Sequence, residues 1–386
     1  MKKLFLVLMA VMCMFSLCAC GSGEESGSDD DGSVVVKLGA SGPLTGGGAV
    51  YGIAVKNAVD LAVSEINASD SKIKFEVKFE DDEADGEKAV TAYSTLYDWE
   101  MQASLFTVTS GSGAAVASLY DEDKIFALTP SGSSTELVYT SDKNFTGNFQ
   151  MCFTDPNQGV AAADYISQHF ADKKVGIIYK NDDVYSSGIY EKFVAQNNVN
   201  VVYTGAFDNS SASDFNTQLT ACKEAGADLV FMPIYYQPAS LILVQADAMG
   251  YEPTFFGVDG MDGILTLEGF DVELAEGLYL LTPFAADATD DLTVNFVTNY
   301  KNAYGDTPNQ FAADAYDCVY AIHQALENIG VDNIDVNNLY EPLIEQFTTM
   351  SFDGLTGNNM TWSSNGEVSK EPKAVIIENG VYVSAE

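Results

Sequence analysis

The chain has 386 residues, 47% of them hydrophobic and 11% aromatic; this is material for packed cores rather than a disordered chain and, at about 100–200 residues per domain, for two or three domains. All 18 basic residues are lysine, set against 56 acidic ones for a net charge of −38. Holding a phosphate backbone requires clustered basic side chains, so nucleic acid is excluded as a partner, and the acidic exterior serves solubility.

The opening stretch MKKLFLVLMAVMCMFSLCACGSG places Lys2 and Lys3 before an apolar run from Leu4 to Leu17. The run is too short for a resident membrane helix and has the layout of a secretory signal, expected over 1–19. Leu17-Cys18-Ala19-Cys20 resembles a bacterial lipobox, with Cys18 an unusual occupant of its position. That resemblance implies cleavage before Cys20, a lipid on Cys20, and an extracytoplasmic protein anchored to a bacterial cell membrane. Residues 20–33 contain nothing that packs and read as a flexible tether. Beyond it stand Cys152, Cys222 and Cys318, an odd number with no C-x-x-C pair, so buried free thiols are expected. His169 and His323 share no ligand motif, and neither metal nor cofactor is expected.

From Val34 onward, strand and helix patterns alternate. VVVKLGAS reads as a strand. YGIAVKNAVDLAVSEIN reads as a helix with Ile53, Ala54, Ala58, Leu61, Ala62 and Ile66 on its apolar face. KIKFEVKFED alternates Ile73, Phe75, Val77 and Phe79 at period two. EKAVTAYSTLYDW is helical, ASLFTVTS a strand, GAAVASLYDE a helix and IFALTP a strand. The pattern then restarts over about 155–280. KKVGIIYK, NVVYTGAF, ADLVFMPIY and PTFFGVDG are strands, separated by the helices YSSGIYEKFVAQNN, SDFNTQLTACKEAG and PASLILVQADAMGY. Repeated βα order predicts parallel sheets covered on both faces, here an α/β fold of two doubly wound lobes. Residues 290–350 are mostly helical, and the last stretch reads as hairpins turning at Asn365-Gly366 and Asn379-Gly380.

Open α/β sheets bind ligands at the carboxyl ends of their strands. The first strand runs into GASGPLTGGGAVYG, which has no phosphate-loop lysine and fails G-x-G-x-x-G. Gly46 to Gly48 leave space there, beside Tyr51 as a rigid wall. The third strand runs into VTSGSGAAV, which sets Ser110 at a helix N-terminus, beside unpaired N–H groups and the positive end of the helix dipole. The fourth runs into TPSGSSTELV, where Ser133 and Glu136 have capping-box spacing. Taken alone, each reads as a helix cap before it reads as a ligand seat; together, at neighbouring strand ends, they can converge on one small anion. A carboxylate gains about 1.5–3 kcal/mol from each charge-assisted bond, so arginine is not required.

The second lobe differs. Tyr185, Tyr235 and Tyr236 follow strands, and Asp259 ends one between Gly257 and Gly260. An acid there suits an ammonium group, or an Asx turn. Hydroxyls and N–H groups on one lobe, with an acid and tyrosines on the other, match a zwitterion. DDEADGEK mimics the first half of a calcium loop, but its twelfth position is Ala92, so it reads as a strand-to-helix turn.

Taken in order, GASGPLTGGGAVYG, DDEADGEKAV, SGSGAAVASLYDEDKIFALTPSGSSTEL, NDDVYSSG, YYQPASLILVQADAMG and FFGVDG resemble the leucine/isoleucine/valine-binding proteins, over about 34–380. These are the type I periplasmic-binding family of ABC importers. The resemblance implies two lobes, 34–151 plus 285–352 and 152–284 plus 353–386, joined by three crossovers near 150–155, 281–286 and 351–356. It implies a ligand carboxylate on Ser110, Ser131 and Ser133, and a ligand ammonium on Asp259 and Tyr235. Tyr51, Tyr185, Gly260 and Phe311 would line the cleft. The disulfide of some relatives is absent, its positions being Ala84 and Thr109, and Asp259 stands where some carry glutamate. The implied partners are an amino acid, branched-chain or otherwise neutral, an ABC permease with its ATPase, and the membrane through the lipid anchor. A sensor of the same fold that signals occupancy to a partner is the alternative. A secreted hydrolase using Ser110 would need His169 in the cleft, and no G-x-S-x-G or HExxH supports catalysis.

Overall fold

The computed structural model describes residues 32–385, so the expected signal segment, Cys20 and nearly all of the tether lie outside the described residues. The first sheet contains β1 (Val34–Gly42), β2 (Ile73–Asp81), β3 (Ala103–Ser104), β4 (Phe126–Thr129) and β5 (Asn148–Gln150). They are parallel, in the order β2-β1-β3-β4-β5. The crossovers are the helices α1 (Ala49–Ala68), α2 (Gly86–Asp98) and α3 (Ser110–Glu122). The second sheet follows with α4 (Asp155–His169), β6 (Val175–Lys180), α5 (Val184–Gln196), β7 (Val201–Phe207), α6 (Asn216–Glu224), β8 (Leu229–Met232), α7 (Tyr236–Ala248), β9 (Thr254–Gly257) and β10 (Tyr279–Thr282). The chain then returns to the first lobe through α8 (Asp291–Tyr304), α9 (Gln310–Ile329) and α10 (Tyr340–Phe347). There α9 lies along α1, and the Tyr316 hydroxyl of α9 donates to Glu65 of α1 at 2.5 Å. Finally β11 (Lys373–Glu378) and β12 (Val381–Ser384) join the second sheet antiparallel. Its order is β12-β11-β10-β9-β8-β6-β7. The result is a two-lobed α/β fold with two mainly parallel sheets.

Several segments depart from the sequence reading. The strand expected over 103–110 stops at Ser104, because the Ser104 hydroxyl accepts from Phe106 N at 2.9 Å and Phe106 turns to φ 56°. β5, α4 and β10 have no counterpart among the elements expected from sequence. Ile53, assigned to the apolar face of α1, is 46% exposed; the buried stripe runs through Tyr51, Ala54, Val55, Ala58, Val59, Ala62 and Ile66. Residues 353–369 were grouped with the second lobe, yet they pack on the first. Trp362 lies 4.7 Å from Phe347 and donates from Nε1 to Gln150 O at 2.8 Å, and Gln150 N donates to Gly366 O at 2.9 Å. Burying that indole keeps the chain on the first lobe until it enters β11. Cys152, Cys222 and Cys318 are buried free thiols. No helix among the described residues is long and apolar enough to cross a membrane.

Candidate functional site

The two lobes meet at their strand-end loops. Tyr51, on the first turn of α1, is 2% exposed and reaches across to the second lobe. Its hydroxyl donates to Gly260 O at 2.5 Å and accepts from Tyr236 N at 3.2 Å. Its ring packs 5.6 Å from Tyr235, 4.9 Å from Tyr236 and 4.5 Å from Phe311 of α9. The polar chain continues inside the second lobe. Gly260 N donates to the Tyr185 hydroxyl at 2.9 Å, which donates to Asp259 Oδ1 at 2.6 Å. Tyr185 also stacks on Tyr235, with centroids 4.5 Å apart and planes 6° apart. From the first lobe, Gln310 Nε2 donates to Asp259 O at 2.8 Å and Gln310 N to Asp262 Oδ2 at 2.9 Å. The apolar core is continuous through this contact, with Tyr51, Phe311, Tyr236 and Ile264 in one cluster. The structure thus gathers Tyr51, Tyr185, Tyr235, Asp259, Gly260 and Phe311 at one interlobe site.

Two glycines permit the close packing, Gly260 within the second lobe and Gly263 across the lobes. A Cβ on Gly260 would lie 2.6 Å from the Tyr185 hydroxyl. Gly263 has φ 103°, which side chains rarely adopt, and a Cβ there would lie 2.7 Å from Val50 of the opposite lobe. Gly263→Ala is expected to favour the open form. Small-angle scattering should give a larger radius of gyration for the unliganded variant than for the parent, with ligand affinity lower by about tenfold or more.

The first-lobe wall is built on α3. Ser110 is its first residue, and Thr109 at the N-cap supplies no side-chain bond to the helix, so the first-turn N–H groups are not satisfied by a cap. The Ser110 hydroxyl accepts from Ser133 N at 3.2 Å and from Ser134 N at 3.1 Å, which leaves its proton to donate. Ser131 donates its proton to Val108 O at 2.7 Å. The Ser133 hydroxyl is buried without an aligned partner, as is that of Thr109. The capping residue is Ser134, one position later than the spacing suggested: its Oγ accepts from Glu136 N at 3.2 Å. Gln150 Nε2 fixes this loop by donating to Gly132 O and Ser134 O.

Asp259 is 4% exposed, and burial pushes its carboxyl up to about 7 against the pull of the Tyr185 hydrogen bond. A second acid, Asp155 at the start of α4, was not singled out from sequence. It is 1% exposed and neither carboxylate oxygen has a hydrogen-bond partner. Burial raises its pKa well above the ordinary carboxylate range; the nearby Ser133 hydroxyl, not aligned as a hydrogen bond, lowers it in part. The only signal was Thr154-Asp155-Pro156, which reads as an ordinary helix start, and Thr154 is indeed the N-cap. Neither acid is met by a lysine among the described residues, in contrast to Asp314, whose Oδ1 lies 2.6 Å from Lys370 Nζ. Gln158 and Gln310 were likewise missed; both are buried amides that bind the Asp259 main chain.

Neither histidine accompanies the serines. His169 stacks on Tyr165 at 4.2 Å, and His323 Nε2 lies 2.9 Å from Ser71 Oγ. In the calcium-like stretch, Asp85 caps α2 and Asp81 accepts from Leu44 N and Thr45 Oγ1. No cluster of His, Cys, Asp and Glu suited to a metal occurs among the described residues.

Two lobes closing on buried, incompletely bonded polar groups have the form of a solute-binding clamshell. The chain belongs to the periplasmic binding protein family, whose model matches residues 35–376, and the family is non-enzymatic and extracytoplasmic. It is 26% identical to a Leu/Ile/Val-binding protein homolog of Brucella melitensis over 76% of this chain and 79% of that protein. Among solved structures, it superposes with a TM-score of 0.81 on the branched-chain amino acid transporter substrate binding protein LivJ from Streptococcus pneumoniae in complex with isoleucine. That pair is 26% identical and covers 91% of this chain and 99% of the other. A solute binding protein from R. palustris in complex with benzoate shares the fold, with a TM-score of 0.78 at 19% identity over 91% and 95% of the two chains.

Proposed function

We propose that the protein captures an α-amino acid between its lobes and delivers it to an ABC permease and its ATPase, held at the membrane by a lipid on Cys20. The observation that carries this reading is the pairing of opposite walls. The uncapped N-terminal turn of α3 and the Ser110 and Ser133 hydroxyls suit a carboxylate. Asp259, without a cation of its own beside Tyr185 and Tyr235, suits an ammonium. Ser131, its proton engaged with Val108, contributes to the carboxylate side by rotating its hydroxyl. Aromatic rings from Tyr51, Tyr235 and Phe311 support a branched-chain or other neutral side chain, as do the names of the relatives.

Thermal unfolding of the purified protein against the amino acids and benzoate tests the reading. At a concentration of 100 Kd, the correct ligand stabilises by about 2.7 kcal/mol. At least one amino acid should do so, and its deaminated counterpart should not. A response to benzoate with none to any amino acid would overturn the proposal.

A further inference from the structure

First-lobe residues converge on one short stretch of the second lobe, residues 259–263. Tyr51 bonds to Gly260 O, Gln310 bonds to Asp259 O and to Asp262, and Val50 stands beside Gly263. Within that stretch the side chain that bonds across the lobes is that of Asp262.

Gln310 is the first residue of α9, where a main-chain N–H has no acceptor inside the helix. The N-cap, Asn309, serves a different donor: its Oδ1 accepts from Ala312 N at 3.1 Å. Asp262 Oδ2 takes the Gln310 N–H from the other lobe, at 2.9 Å. Both residues are buried, and the Tyr382 hydroxyl steadies the loop from its own side by accepting from Gly263 N at 3.3 Å. Gln310 is thus held at both ends, its N–H by Asp262 and its amide Nε2 by Asp259 O. The next residue is Phe311, whose ring lies 4.5 Å from Tyr51, so the same grip fixes part of the cleft wall. Bonds that exist only when the lobes meet bias the equilibrium between open and shut forms.

We propose that Asp262 is a positioning residue that latches the empty molecule shut: its carboxylate holds the first N–H of α9 and, through Gln310, sets where that helix enters the cleft. The latch uses only groups of the protein and holds whichever solute the cleft takes.

Small-angle scattering of the purified protein without ligand tests this against the parent. Asp262→Ala removes the acceptor and should raise the ratio of open to shut molecules by about five- to tenfold, seen as a larger radius of gyration. Asp262→Asn should match the parent: the amide oxygen still accepts, and burial, which pushes the carboxyl up to about 6, does not favour its charge. Gln310→Pro approaches from the other lobe. Proline lacks the N–H, suits the first position of a helix and follows Asn309, whose backbone is extended. It should open the molecule at least as far as Asp262→Ala, because the bond to Asp259 O is lost as well, while circular dichroism shows the parent's helix content. It carries the test should Asp262→Ala fold poorly. A radius of gyration unchanged in Gln310→Pro would overturn the latch. Opening of Asp262→Asn as far as Asp262→Ala would overturn it too, by assigning the hold to charge rather than to the N–H contact. Either result leaves the amino acid reading standing, since no ligand enters the measurement.

Discussion

Asp259→Asn is expected to abolish the proposed amino acid response, lowering affinity by about 10²–10³-fold, and to leave the unliganded protein at least as stable as the parent. The loss combines a charge-assisted bond of about 1.5–3 kcal/mol with the cost of leaving a buried ammonium unmatched. The unchanged fold follows from the same geometry. Burial already pushes the Asp259 carboxyl up to about 7, so the charged form is held against its preference. The asparagine carbonyl still accepts from the Tyr185 hydroxyl, and the main-chain bonds to Gln158 and Gln310 do not involve the side chain of residue 259. Calorimetry gives the affinity and a melting curve gives the stability. A variant that still binds at the parent's affinity removes Asp259 from the ammonium site.

Lowering the pH from about 8 to about 5 is expected to stabilise the unliganded protein and weaken its ligand. Burial raises Asp259 to about 7 and Asp82, Asp262 and Asp317 to about 6 each, and it raises Asp155, Asp183 and Asp314 as well. In the unfolded chain such groups titrate near 4. Between those values the folded state holds protons that the unfolded state has released, so stability is present at the acid end and is lost as pH rises through the folded values. With about 1.4 kcal/mol per pKa unit as a ceiling for each group, the melting temperature should rise by several degrees on acidification. Ligand binding runs the other way. The proposed ammonium site requires ionised Asp259, so below about pH 7 binding there must expel a proton, and affinity is expected to fall by up to roughly tenfold per pH unit. Melting curves with and without ligand across this range separate the two branches. A parent protein that loses stability steadily from pH 8 to 5 refutes the first, and an affinity flat across it refutes the second.

The sheets were legible because their signals are local. The alternation of Ile73, Phe75, Val77 and Phe79 is a period-two pattern, and β2 spans it. Asn379 and Gly380 both take positive φ, at 54° and 73°, as a two-residue hairpin turn demands. The strand-end rule then brought Tyr51, Tyr185, Tyr235 and Asp259 into view, and these residues do meet. What escaped depends on distant partners. Phe106 is an ordinary strand residue by composition, and Ser104 makes it turn. Trp362 decides which lobe the C-terminal strap follows by finding Phe347 and Gln150. Gln310 meets Asp259 across 51 positions of sequence. Asp155 stands in no motif, and its burial comes from packing against Gly188 of α5.

Tyr51 fastens one half of the molecule to the other through Gly260 and Tyr236, using groups that belong to the protein. A clasp of that kind contributes to the shut arrangement independently of cargo. Some fraction of unladen molecules therefore carries the same outer contour as laden ones, and a partner that reads contour alone meets both. Under the proposed function, fidelity of delivery depends on the ratio of laden to unladen shut molecules, a quantity set jointly by solute concentration and by the grip of Tyr51 and Gln310 across the lobes.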